Sequence, residues 1–500
     1  MYPERTDRNA TQGAEDDLRA GRWACAGPAV HPHSAAPVSA PPVSSPVTPL
    51  VASAARRSEL RELIHLAWPI AVAQLGLPLM GLVDIAVIGR VSVADLAAAA
   101  MARSIGFASF VLAMGVAMGL EPLAAQALGA REPERAWEAM WTTLRAVLAM
   151  WLPLMVIGMG VTYLLEPLGI EADVVRRTRA YMLGQAPGLA MYGAFMAVKI
   201  FLQSNGKTRP ALLAVGLANV LNLAVCNLLV RGDDVLIELH LPPLGLPRLG
   251  AFGAGLASSV ASLVLVVVVA IAARPYRPAQ RGPRVPARVV LTLGTPIGLM
   301  MLAEMGVFTV VSLVAGKLGK EIVSAHQVAI GLASFTYMGA LGVAGATAVQ
   351  VGRAVGAGTS TRRPGLLGIG VGLVMMALPA LVFAAVPRPL AAVFTRDPVV
   401  IELGASLLRI AGVFQLFDGV QACAGGALRG AGDVRYAFLV NVAAYWVIGF
   451  PVALVLGFPL GFGARGLWWG LTLGLILASI ALTLRFVRLS GRAVARVEMG

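Results

Sequence analysis

The sequence predicts an all-α polytopic membrane protein: about twelve transmembrane helices in two six-helix lobes related by a parallel internal repeat. Three observations carry that prediction. Hydrophobic residues make up 58% of the chain and charged residues only 13%, far from a soluble globular average. The excess is cut into runs near the ~20 apolar residues that cross a bilayer as a helix. The chain also repeats itself at a constant offset. A transmembrane β-barrel is excluded, because its strands would alternate polar and apolar residues in short segments.

Taken in order, residues 1–58 differ from the rest. PAVHPHSAAPVSAPPVSSPVTP cannot bury a core, so a disordered cytoplasmic tail is expected, with an over-extended start codon as the bland alternative. The expected spans then run 63–88, 96–121, 138–165, 180–200, 211–230, 250–273, 289–316, 322–350, 365–387, 402–427, 436–458 and 464–485. Helices 1–6 make an N-lobe over 59–273 and helices 7–12 a C-lobe over 289–490. The Arg/Pro-rich segment 274–288 is the cytoplasmic linker, and 491–500 a C-terminal tail.

The repeat fixes this division. LAWPI at 66–70 matches LGTPI at 293–297, and ALGA at 127–130 matches AVGA at 354–357, both at an offset of 227. Gly206-Lys207-Thr208-Arg209 aligns with Gly432-Asp433-Val434-Arg435 at 226. GAFGAGL at 250–256 echoes GFGARGL at 461–467 at 211, so the first half holds about fifteen extra residues in the loop RGDDVLIELHLPPLGLPRLG. Six helices per half give both halves the same orientation about an axis along the membrane normal.

A net charge of +14 does not point to nucleic acid, because the basic residues sit in short clusters at the ends of apolar runs. One set of loops carries Arg56, Arg57 and Arg61, then Arg131 and Arg135, Lys199, Lys207 and Arg209, the linker arginines, Arg353, Arg362 and Arg363, Arg429 and Arg435, and Arg485 to Arg496. In the opposite set the largest cluster is Arg176, Arg177 and Arg179. The positive-inside rule therefore puts both termini in the cytoplasm. Cys25, Cys226 and Cys423 are too few for a disulfide framework, and the histidines show no metal-ligand spacing.

The sharpest candidate is Glu304, the one charge in LTLGTPIGLMMLAEMGVFTVVSLVAG. A carboxylate at mid-membrane costs on the order of 3 kcal/mol, so such a group faces a cavity or a partner more often than it merely bonds a neighbouring helix. Its repeat mate is Leu77, so the lobes are chemically unequal. Asp418, in VFQLFDGVQ, is again far from either end of its run, and Asp84, in MGLVDIAVIGR, lies nearer the external end. For Asp84 a snorkelling acid is the main bland alternative. Three isolated carboxylates with no soluble-enzyme motif read as proton or Na⁺ sites. Asn219 and Asn222, one turn apart, either line a cavity near Asp84 or join helices. Pro69, Pro78 and Pro296 sit in the first helix of each lobe, where a missing backbone donor allows bending. SNGKT at 204–208 lacks the first glycine of a phosphate loop, since Phe201 stands there.

With WPI and MGLVDIAVIGR opening one half and TPIGLMMLAE the other, the sequence resembles the multidrug and toxic compound extrusion (MATE) family, closest to its NorM-like branch. EPLAAQALGA at 121–130, FLQSNGKTRPA at 201–211, NVLNL at 219–223, SAHQVA at 324–329 and ALRGAGD at 427–433 occur in family order. The resemblance implies a cation site at Glu304 and Asp418 and an N-lobe acid at Asp84, with Phe414 and Gln415 as further substrate-cavity candidates. Cys226 stands where many members have an acid or Asn, and Phe414 where some have Tyr.

The expected activity is secondary antiport: export of amphiphilic, cationic drugs by alternating access of the lobes, in exchange for H⁺ or Na⁺. No cofactor, no bound metal beyond a Na⁺ at Glu304 and Asp418, no nucleic acid and no enzyme activity is expected, and a monomer in the bilayer is. Three rivals remain. A flippase for lipid-linked precursors shares the plan but calls for a basic cavity. A major-facilitator protein would carry its loop signature where GAREPER stands. A membrane enzyme would need clustered ligands near an interface.

Overall fold

The computed structural model describes residues 49–238, 240 and 242–499, with side chains from residue 58 onward. Residues 53–500 form one compact unit. The expected disordered tail falls almost wholly outside the described residues.

Twelve helices are long and apolar enough to cross a membrane. They are α1 (Ser58–Ile88), α2 (Val93–Gly129), α3 (Pro133–Leu164), α4 (Ala172–Ser204), α5 (Arg209–Arg231), α6 (Gly250–Tyr276), α7 (Ala287–Gly316), α8 (Lys320–Ala357), α9 (Arg362–Ala385), α10 (Pro398–Ala431), α11 (Val434–Gly457) and α12 (Gly463–Leu489). No strand occurs among the described residues. All twelve coincide with expected spans.

Packing repeats with the sequence. In the first lobe α6 packs on α4 and α5, and α4 on α2; in the second, α12 packs on α10 and α11, and α10 on α8. The first helix of each lobe crosses into the other. Leu63, Leu66, Ala67 and Ile70 of α1 are buried in a core with Ala340, Val343 and Ala344 of α8. Val290, Leu293 and Ile297 of α7 are buried with Val116, Leu120 and Leu123 of α2. The tightest points are Ala71 against Gly342 and Gly298 against Gly115, where a Cβ on the glycine would meet the facing backbone. Both pairs map onto each other at the offset of 227. Without a hydrophobic drive between helices in lipid, such small-residue crossings are what let two backbones dock.

Several helices outrun the apolar windows that mark them in sequence. α2 continues eight residues past Glu121 to Gly129, and α8 seven past Gln350 to Ala357. The partner lobe covers these extensions: Gly129 lies on the Arg353 backbone and Gly356 on the Gln126 carbonyl. Lys199, Arg353 and Arg429, expected among the orienting loops, consequently sit on helices, with Lys199 and Arg429 buried. They report packing rather than orientation. The extra loop of the first half is itself folded: the Asp233 carboxylate accepts from the backbone N–H groups of Leu244, Gly245 and Leu246 at 2.8–3.1 Å.

Candidate functional site

A cavity of about 780 Å³ lies between the lobes, walled by α1, α2, α4 and α6 on one side and α7, α8 and α10 on the other. Eight methionines face it, including Met114 and Met118 of α2 and Met300, Met301 and Met305 of α7. Unbranched, polarizable thioethers re-pack around differently shaped apolar ligands, and seven aromatic rings, Phe107, Tyr192, Phe308 and Phe414 among them, share the lining. The volume suits a drug-sized molecule.

At the end of the bundle that carries the 277–286 linker the cavity has a floor. The Arg429 guanidinium donates through Nε to Glu121 Oε2 at 3.1 Å across the lobe boundary. Next to it Gln126 donates through Nε2 to the Gly430 carbonyl at 3.0 Å, and its Oε1 accepts from the Val497 N–H at 2.8 Å. Arg353 donates twice to the Ser204 carbonyl, at 3.0 and 2.7 Å, and lies 3.6 Å from Glu62. Lys199, buried on α4, donates to Gln74 Oε1 at 3.1 Å above this layer. Among the described residues, every hydrogen bond, ion pair and close glycine contact joining the lobes lies in this half of the molecule. Toward the other end the described residues make no hydrogen bond or ion pair between the lobes.

Asp84 is 1% exposed and held by three donors. Tyr181 Oη and Ser258 Oγ donate to Oδ2 at 3.1 and 2.7 Å, and Asn222 Nδ2 donates to Oδ1 at 2.8 Å. Asn222 also reaches the Met80 carbonyl at 3.3 Å, so one amide serves both the carboxyl and the α1 backbone beside Pro78. Asn219 donates to the carbonyls of Gly76 and Val215. It is a joint between α5 and α1 and does not line the cavity, because its amide is spent on backbone. α1 runs helical through Pro69 and Pro78, and α7 through Pro296; Pro78 faces the cavity.

In the second lobe Glu304 and Asp418 both line the cavity, as does Phe414 one turn before Asp418. Neither acid has a hydrogen-bond or ion-pair partner among the described residues. A π-helical stretch, Ala443–Gly449, turns Trp446 onto α7, where its indole donates to the Ala303 carbonyl at 2.9 Å beside Glu304. Such single-turn distortions recur at functional sites. Gln415 is fully buried behind the wall, donating to the Ala333 carbonyl at 3.2 Å and to Thr336. It ties α10 to α8. Sequence reasoning passed over the methionines, Arg103, and the donors Tyr181 and Ser258; the i, i+4 pairs Met114/Met118 and Met301/Met305 were the periodic signals available.

Two lobes in parallel repeat, closed at one end around a methionine-rich cavity with unpaired acids, define a two-lobed membrane transporter. The family profile described as MatE matches residues 69–228 and again 296–455, the same offset of 227. The chain belongs to the MatE family. It is 38% identical over 446 residues to the "Probable multidrug resistance protein NorM" of Deinococcus radiodurans, covering 86% of this chain and 95% of that one. It is 30% identical over 479 residues to the "Multidrug resistance protein PmpM" of Pseudomonas aeruginosa, covering 91% and 97%. Among solved structures, the eukaryotic MATE transporter AtDTX14 superposes with a TM-score of 0.77 at 22% identity, over 89% of this chain and 100% of that one. A mutant of the Vibrio cholerae MATE transporter VcmN does so with 0.77 at 20%, over 88% and 99%.

Proposed function

We propose that this chain is a secondary antiporter that exports amphiphilic, cationic organic compounds in exchange for H⁺ or Na⁺. The observation that carries the reading is the cavity itself. It is apolar and deformable over most of its wall, yet it presents Glu304 and Asp418 with no counter-charge from the protein. An unpaired carboxylate pair within the membrane span is costly unless a cation meets it. A drug cation and a coupling ion would compete for it, and that competition links the two fluxes reciprocally. Inward movement of one positive charge releases about 2.3 kcal/mol per 100 mV, enough for a concentration ratio of tens. The related multidrug resistance proteins support the same reading.

The protein would act in the bacterial inner membrane, with the linker end in the cytoplasm, as its Arg277, Arg281, Arg284 and Arg288 favour. The conformation described is then open outward. The lipid-precursor flippase draws some support from Lys199 and Arg103, both on the cavity wall, but Lys199 is bonded to Gln74 and the acids outweigh them. Ethidium efflux from intact cells of a pump-deficient bacterium separates the two. The antiporter predicts energy-dependent ethidium export, and its absence alongside transfer of a lipid-linked precursor favours the flippase.

A further inference from the structure

Most charged groups lining the cavity are compensated by the protein: Asp84 by three donors, Glu121 by Arg429, and Lys199 by Gln74. Three are not. Glu304 and Asp418 belong to the second lobe. The third is Arg103, on α2 in the first lobe, which lines the cavity and has no hydrogen bond or ion pair with any described residue. It has a prepared seat nonetheless. Its guanidinium occupies the space where a side chain on Gly81 of α1 would begin, so the missing Cβ is what admits it. Gly81 lies one turn before Asp84 on the same helix.

Arg103 and Glu304 also stand at similar depth. Arg103 is ten residues from the open-end terminus of α2, and Glu304 twelve from that of α7, so each is ~15–18 Å down its helix at 1.5 Å per residue. The repeat mate of Arg103 is Ile330 and that of Glu304 is Leu77, both of which line the cavity. The repeat has thus been broken twice, once toward a base on one wall and once toward an acid on the other.

We infer that Arg103 is a specificity-determining residue that binds the carboxylate of zwitterionic amphiphiles while their amine faces Glu304 and Asp418. A guanidinium presents a planar fork that matches a carboxylate bidentately, and away from bulk water such charge-assisted bonds are among the stronger ones available. The cavity would then distinguish a zwitterion from the corresponding ester, which keeps the cation and loses the anion. The inference rests on the drug-export reading for the identity of the occupant.

The test uses a rhodamine with a free carboxylate and its methyl ester, with binding to purified protein in detergent measured by fluorescence polarisation and export measured in cells. Loss of one charge-assisted pair costs about tenfold or more in affinity. The expected result is that Arg103→Gln shifts the carboxylate-to-ester ratio of Kd values about tenfold toward the ester, with Arg103→Lys intermediate. Gly81→Val, which evicts the guanidinium from its seat, should shift the ratio the same way. Equal weakening of both probes, or an unchanged ratio, overturns the inference and leaves drug export standing. Wild-type binding of the ester alone overturns it as well. Binding without energy-dependent export of either probe would instead strike the export reading.

Discussion

The Arg429 guanidinium and the Glu121 carboxylate meet at 3.1 Å across the lobe boundary, each side chain 8% exposed. A buried pair contributes little over an apolar substitute, but removing one partner strands the other, at a cost of about 3–5 kcal/mol. Opening the floor must break this pair, so it weights the conformation seen here. Arg429→Met should therefore shift the lobes away from the closed floor and lower export severalfold. Distances between spin labels on α2 and α10 check it, and an unchanged distribution contradicts it. The exchange Glu121→Arg with Arg429→Glu should recover part of the closed population.

The crossing of α7 on α2 depends on Gly115 and Gly298, where two backbones touch. Gly115→Val inserts three carbons into that contact, and overpacking of this kind costs about 1–3 kcal/mol. The expected outcome is a lower melting temperature in detergent. Gly342→Val should act similarly, because Gly342 makes the equivalent crossing with Ala71. Exposed Gly370, which has nothing within 4 Å of an added Cβ, should tolerate the same change, and equal losses at all three positions would refute the assignment.

Tyr181→Phe deletes one of the three donors to Asp84 while leaving the ring in place. A buried acceptor losing a partner costs about 1–3 kcal/mol. Thermal stability should fall by that amount, and export should fall less in Tyr181→Phe than in Asp84→Asn. The reverse order in a transport assay would mean that the hydroxyl, not the carboxyl, is the functional group.

Asp233 lies outside the membrane-spanning helices, and its three backbone donors hold its carboxyl below the usual aspartate range. A lowered folded value means that the contribution to loop order is complete above the unfolded pKa, near 3.9, and is lost as pH falls through the folded value. Amide exchange at Leu244, Gly245 and Leu246 should stay slow from neutral pH down to about 4 relative to the intrinsic rate. Protection should vanish in Asp233→Ala at every pH. Equal protection in that variant would show that the loop is ordered by something else.

Glu304, Asp418 and Asp84 stand out in the sequence because a single charge in a twenty-residue apolar run is a one-dimensional signal, and span number and repeat follow from periodicity in the same way. Glu121, Lys199 and Arg429 are different. Each lies where an apolar window ends, and there a charge reads as loop until the other lobe is seen to cover it. The exchange of α1 and α7 between lobes was latent in the offset of 227 that relates Ala71 to Gly298 and Gly115 to Gly342. A pairwise contact is needed to turn that number into a crossing. Arg103 is likewise the one charge between Asp95 and Glu121, but the glycine it rests against, Gly81, is visible only once α1 and α2 are packed together.

Coupling of an ion gradient to drug movement is the role proposed for Glu304 and Asp418. Its most direct test is ethidium flux in proteoliposomes under a pH gradient and a Na⁺ gradient imposed separately. Wild-type protein should show gradient-driven flux with at least one of the two. Glu304→Gln and Asp418→Asn should each lose it, while inserting and melting like the wild type. Wild-type flux that ignores both gradients, or full gradient-driven flux in both variants, would contradict the account.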